Sequence, residues 1–149
     1  MKYRILTIGK IKRNDEDLIT KKYLKRIKNI ELKQYEVKTK NKEKKIEEES
    51  DKLINSTPKN GKLILLDEEG ENISSSDLAK LILNWRHNNV TSVNFAIGGA
   101  FGNGVKIKKT ADKIIAFGKF TWPHQMVRMM IAEQIYRIET IIQCHPYHK

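Results

Sequence analysis

Short apolar segments alternate along this chain with longer segments in which apolar residues follow helical spacing. Five of the short segments are rich in β-branched and aliphatic residues and are bounded by glycine or polar residues, which is typical of buried strands. The predicted strands cover residues 3–8, 30–37, 63–66, 92–97 and 113–117. Because a helical segment separates each strand from the next, we predict an α/β fold, a mostly parallel sheet with helices on both faces.

The helical segments lie where such a fold needs its crossovers. They are predicted at residues 15–28, 42–55, 78–85, 105–111 and 123–140. Ser74 and Asp77 have the spacing of a capping box before the third helix. The stretch 38–52 mixes lysines with three consecutive glutamates at 47–49, which predicts a solvated, ion-paired helix rather than a binding patch.

A chain of 149 residues suits one compact domain, here 1–149, and its 39% apolar content is enough for a core. Cys144 is the only cysteine, which excludes an intrachain disulfide and a cysteine-based zinc site within one chain. The longest apolar runs, such as residues 63–66, are too short to cross a bilayer. The first residues carry neither a long apolar stretch nor a cleavage site, so we expect a cytoplasmic protein with no membrane partner.

The charge of the chain is strongly positive and unevenly distributed. The net charge is +11, and residues 1–60 hold 18 Lys and Arg against 10 Asp and Glu. A basic surface favours a polyanion such as RNA. A solvated helix face or a lysine-rich proteome explains the same bias, so the charge alone leaves the partner open.

Two loops follow predicted strands at the edge where α/β sheets bind ligands. The first is glycine-rich and spans residues 98–104, and the second spans residues 118–124 and ends at a helix start. Neither G-x-G-x-x-G nor G-x-x-x-x-G-K-[ST] is present, which disfavours hydride transfer and ATP hydrolysis. Phe120 or Trp122 offers a wall for an adenine, although core packing explains both equally well. A tight turn without a ligand also explains the glycines.

The last five residues concentrate titratable groups at a place where chains are usually frayed. His145, Tyr147, His148 and Lys149 together offer two imidazoles, a phenol and an ammonium. They form either a docked or disordered tail or a segment that contacts substrate and handles protons. No acidic residue lies near the two histidines in sequence, so we expect no metal.

The order and spacing of six motifs identify a resemblance that extends over essentially the whole chain. The motifs are the strand at 3–9, Leu66-Asp67-x-x-Gly70, Ile97-Gly98-Gly99-x-x-Gly102, Thr121-x-Pro123-His124-x-x-x-Arg128, Glu133-Gln134-x-Tyr136-Arg137 and His145-Pro146-Tyr147-His148-Lys149. The chain resembles the SPOUT-type methyltransferases that modify large-subunit ribosomal RNA. More narrowly, it is similar to those that methylate N3 of a pseudouridine in helix 69 of 23S RNA.

The resemblance implies a C-terminal trefoil knot, a homodimer, and S-adenosylmethionine bound within the knot. It also implies ribosomal RNA or the ribosome as partner, and no metal. By position, the family's cofactor contacts fall on Leu66, Gly99, Gly118, Lys119, Phe120, Thr121, Trp122 and Pro123. The rules of chain topology alone would argue against a knot, since threaded chains are essentially absent among folds.

Methylation of N3 requires that its proton leaves before or during attack, so a base or a cation that stabilises the anion would help. The candidates are Tyr147, His148 and Lys149 in the tail and His124 and Arg128 on the last helix. His124 and Arg128 are four residues apart and share a helix face. A phosphate clamp or a dimer ion pair explains Arg128 equally well, and a helix cap is the alternative for His124. The base therefore stays unassigned.

Two functions of other classes stay open. A non-catalytic, basic RNA-binding module would explain the charge, and it predicts RNA binding without any cofactor. A nucleotide-binding oxidoreductase or hydrolase would explain only the glycine-rich loops. Stabilisation by S-adenosylmethionine, NAD or ATP separates the three functions, because a ligand stabilises the fold that binds it.

We predict a homodimer that is built partly on the last helix. The apolar residues of this helix cover more than one stripe, so they need a surface beyond the chain's own core. These residues are Met126, Val127, Met129, Met130, Ile131, Ile135 and Ile138. Sedimentation at micromolar concentration is expected to give the mass of two chains, and a monomer at that concentration would contradict the prediction.

Overall fold

The computed structural model describes residues 1–148, and it confirms the predicted α/β class. The strands in this part of the chain are β1 (Lys2–Ile8), β2 (Ile30–Tyr35), β3 (Gly61–Glu71), β4 (Ser92–Ile97) and β5 (Lys113–Ile115). They form one sheet in the order β2-β1-β4-β3-β5. Every neighbouring pair runs parallel, as the alternation of strands and helices predicts.

Helices cover both faces of the sheet, and the direction of each crossover decides which face. The helices are α1 (Asp15–Leu24), α2 (Lys42–Asn55), α3 (Ser75–His87), α4 (Val105–Thr110) and α5 (His124–Ile142). Parallel crossovers are right-handed, so those that step across the sheet in opposite directions place their helices on opposite faces. Accordingly, α1 and α3 share one face with α5, and α2 packs against α4 on the other. No helix within residues 1–148 is long and apolar enough to cross a membrane.

Alternating side chains of each strand build one core on each face of the sheet. In β3, Ile64 and Leu66 belong to the core shared with α3 and α5, whereas Leu63 and Leu65 belong to the core shared with α2 and α4. All four side chains are buried. A strand that is buried on both faces needs apolar residues at consecutive positions, which is why residues 63–66 read as one apolar run.

The third strand is longer than the predicted range 63–66, because it does not end at Leu66. β3 continues to Glu71, and Leu66 and Glu71 both pair with Ile115 of β5. Residues 67–70 therefore form a bulge in the strand instead of a terminal turn. A β-carbon at Gly70 would lie 2.6 Å from the carbonyl carbon of Ile115, so glycine is what lets the strand return to its partner.

The other elements agree with the prediction except at their ends. α1 ends at Leu24 rather than near residue 28, because Arg26 and Ile27 donate to carbonyls only three residues back, in a tighter turn. β2 and β5 each end two residues before the predicted limit. α3 begins at the predicted cap, where the Ser74 hydroxyl accepts a hydrogen bond from the Asp77 N–H.

Candidate functional site

The bulge of β3 and the loops after β4 and β5 meet at the carboxyl end of the sheet and form a cavity of about 520 Å³. β3 lies between β4 and β5 in the sheet, and the first turn of α5 closes one side of the cavity. This edge is where α/β sheets bind ligands, and a cavity of this size accommodates a cofactor. The lining residues lie at 66–69, 97–103, 115–118 and 120–122, with Lys108, His124 and Val127.

Most of the residues that the resemblance assigns to the cofactor lie in this cavity wall. They are Leu66, Gly99, Gly118, Phe120, Thr121 and Trp122. The other two, Lys119 and Pro123, are exposed and are not among the lining residues. Pro123 instead occupies the capping position that precedes α5. The contact of all eight residues with a cofactor stays a prediction.

Of the candidate catalytic residues that are described, His124 and Arg128 lie close together at the start of α5, and Tyr147 lies elsewhere. His124 lines the cavity, whereas Arg128, one turn further along α5, is 2% exposed and lies outside the wall. Tyr147 packs against the later part of α5. The side chain of His148 and the whole of Lys149 lie outside the described residues. Among the residues that are described, no three His, Cys, Asp or Glu side chains form a group that could hold a metal ion.

A tight turn shapes the glycine-rich loop after β4. The Gly102 N–H donates to the Gly99 carbonyl at 3.1 Å, and Gly102 has a φ of +82°, which favours glycine. Asn103 then fastens the loop, since its side-chain amide donates to the Leu66 carbonyl at 3.0 Å and to the Asp67 carboxylate at 2.8 Å. The loop after β4 is thus tied directly to the end of the neighbouring strand.

Acidic residues form the β3 side of the cavity. Asp67, Glu68 and Glu69 line it, and the Lys108 ammonium lies 3.2 Å from Asp67 and 2.6 Å from Glu69. Burial raises the pKa of Asp67, but hydrogen bonds from Asn103, the Glu69 N–H and Lys108 outweigh burial and leave this pKa below its usual value. Asp67 is therefore a charged carboxylate at neutral pH, and three acids against one lysine make this wall negative.

Hydrogen bonds also hold the loop after β5. The Trp122 indole N–H donates to the Phe117 carbonyl at 2.9 Å, and the Thr121 hydroxyl donates to the Glu68 carboxylate at 2.6 Å. Phe120 meets Trp122 edge-on, with ring centroids 6.3 Å apart. Because Phe120 is 77% exposed, it is not a core aromatic.

The buried carboxylate of Glu49 supports the glycine-rich loop from the α2 side. Glu49 is 4% exposed, and within residues 1–148 one of its carboxylate oxygens has no hydrogen-bond partner. Burial raises the pKa of Glu49, and the nearby Lys45 only partly offsets this. A β-carbon at Gly99 would collide with this carboxylate, so close approach requires the glycine there. The expectation of a solvated, ion-paired helix over residues 38–52 is wrong at Glu49.

Burial lowers the pKa of both His124 and Arg128, and the neighbouring charges act in opposite directions on the two pKa values. Burial lowers the pKa of His124, and the positive charge of Arg128 lowers it further, so the imidazole is neutral at physiological pH and can accept a proton. Burial lowers the pKa of Arg128 as well, but the carboxylates of Asp17 and Glu16 oppose this. In the described part of the chain, Nε and one Nη of Arg128 have no hydrogen-bond partner.

The end of α5 folds the tail back along the helix. The His145 N–H donates to the Thr140 carbonyl at 2.8 Å, and the Cys144 N–H donates to the Ile141 carbonyl at 3.0 Å. These two bonds form a Schellman motif, which needs a residue with left-handed backbone, usually glycine. Cys144 takes that position with a φ of +54°. This reversal determines where Tyr147 lies.

Tyr147 rests on aromatic and charged side chains of its own chain. Its ring meets Tyr136 edge-on with centroids 4.7 Å apart, and the Arg137 guanidinium lies 5.1 Å from the ring centroid. A hydrogen bond with Tyr23, burial and the charge of Glu133 together raise the pKa of Tyr147 to about 12. In this position Tyr147 is therefore a protonated phenol, which can donate a hydrogen bond but is not a base.

Sequence reasoning missed Asp67, Asn103 and Glu49 as parts of the site, although each had a signal. Asp67 directly follows a buried strand, and Asn103 lies inside the glycine-rich loop. Glu49 comes three residues after Ile46 and four before Leu53, which places it on the apolar side of α2. Reading the three glutamates as one solvated group concealed that position.

A parallel sheet with a cavity at its carboxyl end is typical of α/β proteins that bind a ligand. The comparisons with known proteins show to which family of this class the chain belongs. Residues 1–148 match the family described as predicted SPOUT methyltransferases, and the chain belongs to that family. It is 36% identical to the "Ribosomal RNA large subunit methyltransferase H" of Nitrobacter hamburgensis, over 100% of this chain and 99% of the relative. Proteins of the same name from Paramagnetospirillum magneticum and Sphingopyxis alaskensis are 35% and 38% identical, over 100% of this chain and 99% and 97% of the relatives.

Replacing Glu49 by glutamine is expected to stabilise the protein at high pH. Since burial raises the pKa of Glu49, its stabilising contribution is complete only below the unfolded pKa of about 4.5, and it is lost as the pH rises through the folded pKa. The substitution removes a buried, unpaired charge, whose cost is of order 1–3 kcal/mol. Thermal melts between pH 4 and 9 should show an advantage over wild type that grows with pH.

The control for this experiment is Glu47→Gln, which removes the charge of an exposed glutamate on the same helix. It should leave the pH dependence of the melting temperature unchanged. If Glu49→Gln and wild type have parallel melting profiles, Glu49 is not the buried, destabilising carboxylate described above.

Proposed function

We propose that this chain is an S-adenosylmethionine-dependent methyltransferase of large-subunit ribosomal RNA, acting on N3 of a pseudouridine in helix 69. Membership of the SPOUT family and the names of the full-length relatives support the reaction class and the RNA. The structural observation that carries the proposal is the cavity formed by the bulge of β3 and the loops after β4 and β5. A C-terminal trefoil knot and a cytoplasmic location belong to the same proposal.

The cavity suits a molecule that carries both an aromatic base and positive charge. Ile97, Ile115 and Phe117 supply apolar surface, and the acidic wall at residues 67–69 favours the cationic sulfonium and ammonium groups of S-adenosylmethionine. Within residues 1–148, the buried Oδ1 of Asn103 has no donor, so one acceptor is left for an N–H group of a ligand. The residues present therefore fit the cofactor.

Bound S-adenosylmethionine supplies an activated methyl carbon, so the protein has to position the base and remove its N3 proton. We propose His124 as the group that accepts this proton, because it lines the cavity and its lowered pKa keeps it neutral. Arg128 helps to keep the imidazole neutral.

The tail is proposed to act in the cavity of a second subunit. In its own chain Tyr147 packs on Tyr136, which lies nine residues beyond Val127, the last cavity residue of α5. Nine helical residues span about 14 Å, so the tail is not positioned to cover the cavity of its own chain. Of the seven apolar residues of α5 on which we predicted the dimer, Ile131, Ile135 and Ile138 are buried in the chain's own core and the other four are half-buried. On α1, which packs beside α5, Leu18 is 66% exposed and Ile19 is 42% exposed, and they offer apolar surface for the homodimer that this arrangement needs.

The cofactor is tested by thermal shift with S-adenosylmethionine, NAD and ATP, each at the same concentration. Only S-adenosylmethionine is expected to stabilise the protein, by about 2.7 kcal/mol at a hundredfold excess over Kd. Gly118→Val should abolish the shift, because Gly118 has a φ of +81° and lies in the cavity wall. Gly9→Val is the matched control, since Gly9 has a φ of +97° and lies outside that wall.

Stabilisation by NAD or ATP alone would favour an oxidoreductase or hydrolase. RNA binding with no response to any of the three compounds would favour the RNA-binding module. Either result would contradict the proposed reaction.

The tail is tested by deleting residues 147–149. Methyl transfer to ribosomal RNA should fall at least about a hundredfold, the scale of a lost acid–base or anion-stabilising group, while S-adenosylmethionine affinity and the melting temperature stay nearly unchanged. His148→Ala should alter the pH–rate profile if His148 titrates during the reaction. Tyr147→Phe, which keeps the ring on Tyr136, should act only through the lost hydroxyl.

A mixture of the truncated protein with Gly118→Val decides which subunit the tail serves. If the tail acts on the partner's cavity, mixed dimers combine an intact cavity with an intact tail, and activity returns. Full activity of the truncated protein alone would show that the tail has no part in the reaction.

A further inference from the structure

The turn after β4 presents an aromatic ring to solvent at the edge of the cavity. Phe101 is at the tip of the four-residue turn that the Gly102 N–H closes on Gly99. It is 49% exposed, yet it also lines the cavity. An exposed ring on a turn that is hydrogen-bonded at its base is held in place without being part of a core.

Two lysines of α2 lie beside this ring. The ammonium groups of Lys42 and Lys45 are 5.5 Å and 5.9 Å from the Phe101 centroid. Within residues 1–148, neither lysine forms an ion pair with a carboxylate. Lys42 is the first residue of α2, where the helix dipole disfavours positive charge, so the stability of the helix does not explain it. Lys45 lies one turn before Glu49 and its charge lowers the pKa of that buried carboxyl, but its ammonium group also lies beside the ring.

The surroundings of the ring separate it from the acidic wall. Lys42 and Lys45 are not cavity residues, whereas Phe101 is, so the ring lies between the cavity and these two lysines. A flat exposed ring beside two cations is the combination with which proteins hold single-stranded nucleic acid, because bases stack on the ring and phosphates pair with the cations. A cationic cofactor would be repelled by these two lysines.

We propose that Phe101, Lys42 and Lys45, hereafter the Phe101 site, bind the RNA nucleotide that is adjacent to the target base. The ring stacks on the neighbouring base, and the two ammonium groups contact the phosphates on either side. An enzyme that acts on a base must take it out of its stack, and the base left next to the gap needs a new stacking partner. The inference rests on the proposed function, since it assigns the substrate contacts of the same cavity.

The alternative is that the lysines only cover an otherwise exposed ring. Cation–π contacts of this kind occur within many chains and stabilise exposed sites weakly. The two possibilities differ in what they predict for RNA, because a covering role affects the melting temperature and a substrate role affects the affinity for the ribosome.

The test compares variants in two assays, the KM for purified ribosomes and binding to ribosomes by sedimentation. Phe101→Ala should raise both KM and Kd about tenfold or more, the scale of losing one base–aromatic stack, and Phe101→Trp should restore them. The double variant Lys42→Ala/Lys45→Ala should weaken binding and lower the slope of log Kd against log salt by about 1–2. The Kd for S-adenosylmethionine should stay within about twofold in all variants, a margin small against the tenfold effect of stacking.

Matched controls come from the same region of the chain. Val105→Ala removes an apolar side chain that is 68% exposed just after the glycine-rich loop. Lys52→Ala/Lys59→Ala removes two exposed charges from the distal end of α2 and the turn beyond it. Both controls should retain wild-type KM and ribosome affinity.

The possible results separate this inference from the proposed function. If the wild-type protein methylates ribosomes and the Phe101 site variants have the wild-type KM and Kd for ribosomes, the lysines only cover the ring and the inference is wrong. It is also wrong if Phe101→Ala weakens S-adenosylmethionine binding instead, or if the lysine control loses as much affinity as the double variant. If wild type does not methylate, the proposed function fails, while the ribosome-binding assay still tests the Phe101 site.

Discussion

Leu66 pairs with Ile97 of β4 on one side and with Ile115 of β5 on the other, so the ends of β4 and β5 lie level with the start of the bulge in β3. The cavity depends on this register, because the bulge and the two loops that line it start from these positions. A shift by one residue would turn the buried side chains of a strand to the opposite face. The bulge at residues 67–70 keeps the pairing with Ile115 while the acidic residues are placed in the cavity wall, so one irregularity serves both the fold and the site.

Charged groups are buried around this point, and they add little to stability. The carboxylate of Asp67 accepts hydrogen bonds from Asn103, Lys108 and a backbone N–H. Glu49 and Arg128, in contrast, each keep a polar atom without a partner among the described residues. Unpaired buried groups cost free energy, and they cluster where a protein binds or transforms a ligand. Their position beside the glycine-rich loop and the start of α5 therefore agrees with a functional origin.

Much of the architecture was predictable, because the apolar run at 63–66 and the helical spacing between the strands determine a parallel sheet with two covered faces. The loops of the cavity were predictable for the same reason, since they follow strand ends. The burial of Glu49 was not, because it depends on how closely α2 approaches Gly99. The position of Tyr147 was not predictable either, since it depends on the left-handed backbone of Cys144. Such a conformation is predicted from sequence where a glycine occurs, and this position has none.

For the proposed cofactor and RNA, a negative cavity wall inside a chain of net charge +11 would separate two ligands of opposite charge. Phosphates are attracted to lysines such as Lys42 and Lys45 but are repelled by the acids at residues 67–69, and over a Debye length of about 8 Å both effects act at the cavity entrance. A nucleobase is neutral, so the acidic wall does not repel it from the cavity as it repels the RNA backbone. In the proposed function, a wall that attracts a cationic methyl donor would thus also keep the RNA backbone outside. Phe101 lies at the boundary between the two fields, where a stacked base would fix the distance between backbone and cavity.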